Sequence, residues 1–245
     1  MPMPQLTQDQ IDNTRDEIVR AGLDIYRREG LEAVTMRSIA ARLSTSSMHA
    51  YRYFRNKDDL ICAMQAACFG ELENAINRAV SEEMDPQGKL VALAVSYIAH
   101  ARRRVTDYEL MFMVKNASGN DSGDLKKIRS RIFGTSVSLV AEHLDRIGSS
   151  EDARTLLHLS WAGFHGLMML EIGGHLDQGR SLSELVGPLL RSSLGIQVPV
   201  RSHASPGAGR SDLSPGPVGQ ERRLNRAARL NSGDQGDPGK DRRKP

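Results

Sequence analysis

Apolar residues recur at helical spacing along most of the first 196 positions, and nowhere in that stretch do they alternate with the period of two that marks a half-buried strand. Ile18, Ala21, Ile25 and Tyr26 form one face of a helix from about Asp12 to Glu29, and Gly30 stands where a left-handed C-terminal cap belongs. Gly22 inside that helix costs about 1 kcal/mol relative to alanine, which points to a close helix crossing. Thr35 is placed as the N-cap of a second, short helix carrying Ile39, Ala40 and Leu43. The run STSS then supplies turn and cap residues for a third helix, Ser47 to Phe54. Asn56 caps a fourth, Lys57 to about Met84, whose broad apolar face includes Leu60, Met64, Cys68, Leu72 and Ile76; Asp85 and Pro86 end it.

The same period continues downstream. Leu90, Leu93, Ala94, Tyr97, Ile98 and Ala101 define a helix, DYELMFMV a shorter one, and the loop NASGNDSGD separates these from a long helix through Ile128, Ile132, Val140, Leu144 and Ile147. Two more helices, Ala153 to about Leu176 and Ser181 to Leu194, complete an all-α pattern of about nine helices, the last with Pro188 inside it. From Gln197 onward Phe, Tyr, Trp and Met are absent while Pro, Gly, Ser and Arg dominate, so residues 197–245 are expected to be a disordered basic tail.

Charge changes the picture by its placement. The net charge of +3 divides into 23 basic against 25 acidic residues over 1–196, and 10 against 5 over 197–245. Overall basicity therefore says nothing about nucleic acid, and a basic surface has to be found locally. It is found between Ala33 and Lys57, where Arg37, Arg42, Arg52, Arg55 and Lys57 occur without a single acid.

This basic stretch holds two short helices joined by a tight turn, a helix-turn-helix over residues 35–54. At about 100° per residue, Ala50 and Phe54 fall on the core face of the second helix; Ser47 lies beside them, and Met48, His49 and Arg52 stand opposite, with Tyr51 and Tyr53 on the flanks. Such a face suits a DNA groove, base edges being within reach of its centre and phosphates within reach of its margins. Lys57, in the first turn of the next helix, is placed to hold a phosphate by charge and dipole together.

The run GLEAVTMRSIAARLSTSSMHAYRYFRNKDDL resembles the DNA-binding domain of TetR-type transcriptional regulators, the likeness covering about residues 12–72. The resemblance implies Thr35, Met36 and Arg37 at the groove entrance, Ser47, Met48, His49 and Arg52 reading bases, and Tyr51, Tyr53 and Lys57 on phosphates. The chain departs from the family at Ser44, where glycine is usual in the turn, and at Thr45 and Ala50, where an aliphatic residue is usual.

LSWAGFHGLMMLEIGGHL, residues 159–176, resembles the Trp-x-x-x-His-Gly segment in the C-terminal domain of one TetR-type subgroup. The resemblance implies a ligand-binding and dimerisation domain over residues 86–196. In it the last two helices, about residues 151–176 and 181–195, pair with a second copy, and the homodimer reads a palindromic double-stranded DNA operator. It also implies an effector pocket for a small molecule, with Tyr97, Phe112, Met113, Phe133, Trp161, Phe164, His165 and Met168 as candidate lining residues, although the same spacing suits plain core.

Other chemistry is sparse. No nucleophile beside a base, paired carboxylates, metal cluster or phosphate loop is visible, so neither catalytic residues nor a cofactor are expected. His158 and His165 lie about 10 Å apart along a helix, too far to share a metal. Cys62 and Cys68, about 9 Å apart on one helix, cannot form a disulfide without unwinding it; thiol sensing of oxidants stays open as a further reading. No leader pattern and no apolar run of about 18 residues appears, so a soluble cytoplasmic protein with no membrane partner is expected. The functional expectation is a repressor released from its operator by a small molecule. The alternatives are an activator or ligand-independent regulator and, in another class, an all-α enzyme without a recognisable motif.

Overall fold

A computed structural model describes residues 7–115, 122–177 and 179–196, and among these every regular element is helical. The tail 197–245 and residues 116–121 of the loop before the long helix lie outside the described residues.

Helix α1 (Gln8–Glu29) starts earlier than its apolar stripe because Thr7 and Gln10 form a reciprocal cap. The Thr7 hydroxyl accepts from the Gln10 N–H at 3.3 Å, and Gln10 Oε1 accepts from the Thr7 N–H at 2.9 Å. Gly30, at φ 88°, ends it, and a 3-10 turn over Leu31–Ala33 leads to α2 (Met36–Arg42), capped by Thr35 as expected. Helix α3 (Ser47–Tyr51) is shorter than the expected Ser47 to Phe54. The chain tightens instead, Arg52 N–H bonding to His49 O and Tyr53 N–H to Ala50 O, which carries Phe54 into the core before Asn56 caps the next helix.

Helix α4 (Lys57–Ser81) ends short of Met84. Asp85 and Pro86 begin α5 (Pro86–Arg103) rather than end α4: the Asp85 carboxylate accepts from the Gly88 N–H at 3.1 Å, and Pro86 sits in the first turn, where a missing N–H costs nothing. Then follow α6 (Val105–Phe112), α7 (Gly123–Ile147), α8 (Ala153–Gly173) and α9 (Leu182–Leu194), the last running through Pro188.

Helix α4 is the central column, packing against α1, α5, α6 and α7, while α2 pairs with α3 and α8 with α9. Gly22, expected at a close helix crossing, lies where α1 meets α4: a Cβ there would meet Met64 Sδ at 3.0 Å. Gly163 does the same for α8 and α9, since its Cβ would meet Leu189 Cδ1 at 2.7 Å. Ile18, Ile39, Phe54, Leu60 and Met64 are fully buried between α1 and the helix-turn-helix, each such side chain contributing roughly 1.5–3 kcal/mol.

Candidate nucleic-acid interface and ligand cavity

The turn between α2 and α3 is built on Ser44, whose φ is 54°. Its N–H bonds to Ala41 O at 3.2 Å and the Thr45 N–H to Ala40 O at 2.9 Å, the paired bonds of a Schellman cap that usually carries glycine at this position. The turn fixes α3 so that Ala50 and Phe54 are buried while Ser47, Met48, Tyr51 and Arg52 are exposed, together with Thr35 and Arg37 from the start of α2.

Four expected contact residues sit differently. Met36 is 6% exposed and belongs to the core, because the first turn of so short a helix must supply an anchor against α1. His49 and Tyr53 are half-buried with ring centroids 5.3 Å apart. Tyr53 packs against the core, and its carbonyl accepts from Arg15, whose guanidinium lies 4.4 Å from the Phe54 ring centroid. Lys57, half-buried, donates from Nζ to Leu31 O at 3.0 Å, tying the first turn of α4 to the loop after α1. The acid-free basic stretch also acquires acids from elsewhere: Arg42 pairs with Asp24 of α1, and Arg55 with Asp59 at 3.6 Å. Arg37, at the start of α2, and Arg52, at the end of α3, are exposed.

Further along α4, Phe69, Leu72 and Ile76 form one wall of a cavity of about 470 Å³. Leu90, Leu93, Ala94 and Tyr97 of α5, Phe112 of α6, and Ile132, Phe133 and Val140 of α7 continue the wall, and Leu157, Trp161 and Phe164 of α8 with Leu190 and Leu194 of α9 close it. Of the expected lining residues Tyr97, Phe112, Phe133, Trp161 and Phe164 are in place. Met113 is instead exposed at 53%, Met168 is sealed in the core, and His165 stands behind the wall. The side chains that line it unforeseen include His158, Lys126, Arg129, Ser130, Ser136 and Ser160.

Behind the cavity runs a chain of hydrogen bonds. The Trp161 indole, which can only donate, bonds to Tyr97; Tyr97 Oη lies 2.7 Å from Tyr108 Oη, and Tyr108 Oη 2.6 Å from His165 Nδ1. Burial favours the neutral imidazole and lowers the His165 pKa. Burial likewise raises the Tyr97 and Tyr108 hydroxyls above the ordinary phenol value.

Tyr108 adjoins Asp107, which is 1% exposed and accepts two bonds of 2.8 Å from Arg27 of α1. Arg104 approaches the same carboxylate at 3.4 Å and Glu71 of α4 at 3.2 Å. The bond to Asp107 raises the Arg27 pKa. This ion pair ties α1 to α6, and sequence spacing carried no sign of it. Cys68, nearby and fully buried, has its thiol pushed up to about 12 by burial, which disfavours the reactive thiolate. Among the described residues no cluster of His, Cys, Asp and Glu could hold a metal, and no helix is long and apolar enough to cross a membrane.

Residues 18–64 match the family described as bacterial regulatory proteins, tetR family, and residues 90–192 match the family described as tetracyclin repressor-like, C-terminal domain. The chain is similar to an HTH-type transcriptional regulator of Mycobacterium tuberculosis, 23% identical over 184 residues, 75% of this chain and 82% of that one. It is also similar to the HTH-type nicotine-responsive transcriptional repressor HdnoR of Paenarthrobacter nicotinovorans, 31% identical over 71 residues, 29% of this chain and 37% of that one. Among solved structures, the regulatory protein SCO4313 shares the fold with a TM-score of 0.61 at 23% identity, covering 78% of this chain and 100% of that one.

Proposed function

The chain belongs to the TetR family of bacterial transcriptional regulators, which are not enzymes, and from that premise we propose a repressor that binds a palindromic operator as a homodimer and leaves it when a small molecule enters the cavity. One observation carries the reading: a single helix, α4, serves both sites. Its first turn is tied to the loop before the helix-turn-helix through Lys57 and Leu31, while Phe69, Leu72 and Ile76 of the same helix line the cavity. A ligand that fits the cavity better when α4 is displaced from its DNA-bound position shifts the population toward the released state by its difference in affinity for the two. That the Paenarthrobacter nicotinovorans relative is a nicotine-responsive repressor supports the same reading.

Arg52, Ser47, Met48 and the half-buried His49 are the proposed base contacts, with Thr35 and Arg37 at the groove entrance and Tyr51, Tyr53 and Lys57 on phosphates. Two-fold pairing through α8 and α9 is supported by apolar side chains left exposed on one face of α8, Leu159 and Leu170. Between them Gly166 has nothing within 4 Å of a Cβ position, space that a partner helix would use. The Trp161-x-x-x-His165-Gly166 spacing supports membership of the Trp-His-Gly subgroup, and a cytoplasmic location follows from operator binding.

The test is binding to the DNA upstream of the protein's own gene at several salt concentrations. Affinity is expected to fall steeply with salt. Tyr51→Phe should weaken all sequences about equally, and Arg52→Ala should relax preference at one position of each half-site by roughly 1–3 kcal/mol. Binding indifferent to both salt and sequence sinks the proposal.

A further inference from the structure

We infer that the cavity takes an uncharged molecule with an apolar body and a hydroxyl-class hydrogen-bond donor, which Ser136 of α7 or Ser160 of α8 accepts. This rests on the reading of the cavity as the effector site.

The apolar body follows from the walls. Four of the chain's five phenylalanines line the cavity, Phe69, Phe112, Phe133 and Phe164, together with Tyr97 and Trp161. Rings at these positions offer faces and edges to an apolar or aromatic guest. A volume of about 470 Å³ lies within the range of small-molecule sites. Among the described residues the charged side chains of the lining, Lys126 and Arg129, are both exposed, and no buried lining residue carries a charge. A charged ligand group carried to the buried wall would shed its water without meeting a counter-ion, so the group seated there is neutral.

The donor follows from the bonds that the polar lining already makes. Ser136 and Ser160 are buried, and each gives its one hydroxyl proton to its own helix: Ser136 Oγ donates to Ile132 O at 2.9 Å and Ser160 Oγ to Leu156 O at 2.8 Å. Each oxygen retains lone pairs, so it accepts a further bond without giving up the one it makes. His158, exposed in the lining, is built alike. Its Nδ1 lies 2.9 Å from Arg154 O, a carbonyl only accepts, and the neutral ring is left with Nε2 as acceptor. The Tyr97 hydroxyl is occupied by Tyr108 Oη at 2.7 Å and by the Trp161 indole. A ligand hydroxyl buried against Ser136 or Ser160 therefore finds an acceptor in place, whereas an ether or ketone oxygen there gains the serine proton only by breaking an intrahelical bond.

Two isomers of equal size separate donor from acceptor: 4-butylphenol, whose hydroxyl donates, and 4-propylanisole, whose ether oxygen only accepts. A third probe, 4-propylbenzoate, supplies the anion. Equilibrium dialysis of each against full-length protein gives the affinities, and the fluorescence of Trp161, the sole tryptophan in the chain, reports a probe in the cavity it lines. The phenol is expected to bind on the order of 5-fold tighter than the anisole, equivalent to the roughly 1 kcal/mol that one hydrogen bond contributes net, and tighter still than the benzoate. Replacing both serines, Ser136→Ala with Ser160→Ala, puts the better helix former at each position; it should abolish that preference and leave the anisole's affinity unchanged. An anisole or benzoate that binds as well as the phenol overturns the inference, and the effector reading stands if that probe releases operator DNA. A phenol preference that survives the double substitution overturns the placement of the acceptor. A preference that the double substitution abolishes, in a protein whose operator affinity the phenol leaves unchanged, upholds the donor chemistry and overturns the effector reading. No binding by any of the three overturns the inference.

Discussion

Ser44 holds the helix-turn-helix together in a conformation that a side chain resists. Among the described residues it is the one non-glycine at positive φ, and a Cβ in that region costs on the order of 1–2 kcal/mol. The two Schellman bonds from Ser44 and Thr45 keep it there, because giving them up would strand carbonyls at the end of α2. Ser44→Gly should therefore raise unfolding stability by up to about 1 kcal/mol, the relief being partly offset by the greater freedom of glycine in the unfolded chain, and Ser44→Val should lower it by about 1–2 kcal/mol. Denaturant melts of the two variants decide it: a valine variant as stable as the parent would show that the turn adopts another conformation. The serine in a glycine's place was legible in the sequence, but the dihedral it adopts was not. Lys57 marks the same limit, since the partner that engages its ammonium, Leu31 O, lies 26 positions away.

Between elements, the least legible contact is the one joining α1 to α6. Hydrophobic period locates helices and their inner faces, and it recovered most of their extents because most of them pair an apolar stripe with a side-chain cap, as Thr35 does for α2 and Asn56 for α4. It says nothing about which polar side chains meet. Asp107 reads as an ordinary residue at the head of a short helix, yet it is buried and bonded to Arg27 across 80 positions. Replacing it with asparagine keeps its shape and removes the charge that Arg27 and Arg104 share. Because Arg27 and Arg104 are only partly buried and can turn to water, the expected loss is about 1–3 kcal/mol rather than the larger cost of stranding a fully buried ion. Equilibrium unfolding of Asp107→Asn reads this directly, and an unchanged midpoint would mean that the pair contributes only geometry. Helix ends misplaced by the pattern have equally local causes: α3 stops at Tyr51 because Asn56 must cap the next helix, and Asp85 with Pro86 opens a helix rather than closing one.

For the molecule as a whole, the all-helical class and the position of the helix-turn-helix were legible because both are written in local spacing. The cavity was legible only in part, for a reason of geometry: it is lined by the same inner faces that elsewhere make the core, and a face does not reveal whether its neighbours meet. Aromatic residues on those faces, Tyr97, Phe112, Phe133, Trp161 and Phe164, do line it, while Met168, on the same helix as Phe164, is simply packed. The exposed polar residues that line it, such as Lys126, Ser130 and His158, come from the polar positions of α7 and α8, where a search for apolar stripes does not look.

The column α4 also contains two thiols sealed against solvent, Cys62 at 2% exposure and Cys68 at 0%, six residues apart on the stretch that connects the two sites. A thiol reagent reaches either one only during a transient opening of the surrounding structure, so their modification rates time that opening at two points along one helix. Mass-resolved labelling of the native protein should give a common rate if the helix and its neighbours open as one cooperative unit. Two well-separated rates would divide the protein between Cys62 and Cys68, with α4 crossing a boundary between regions that come apart independently.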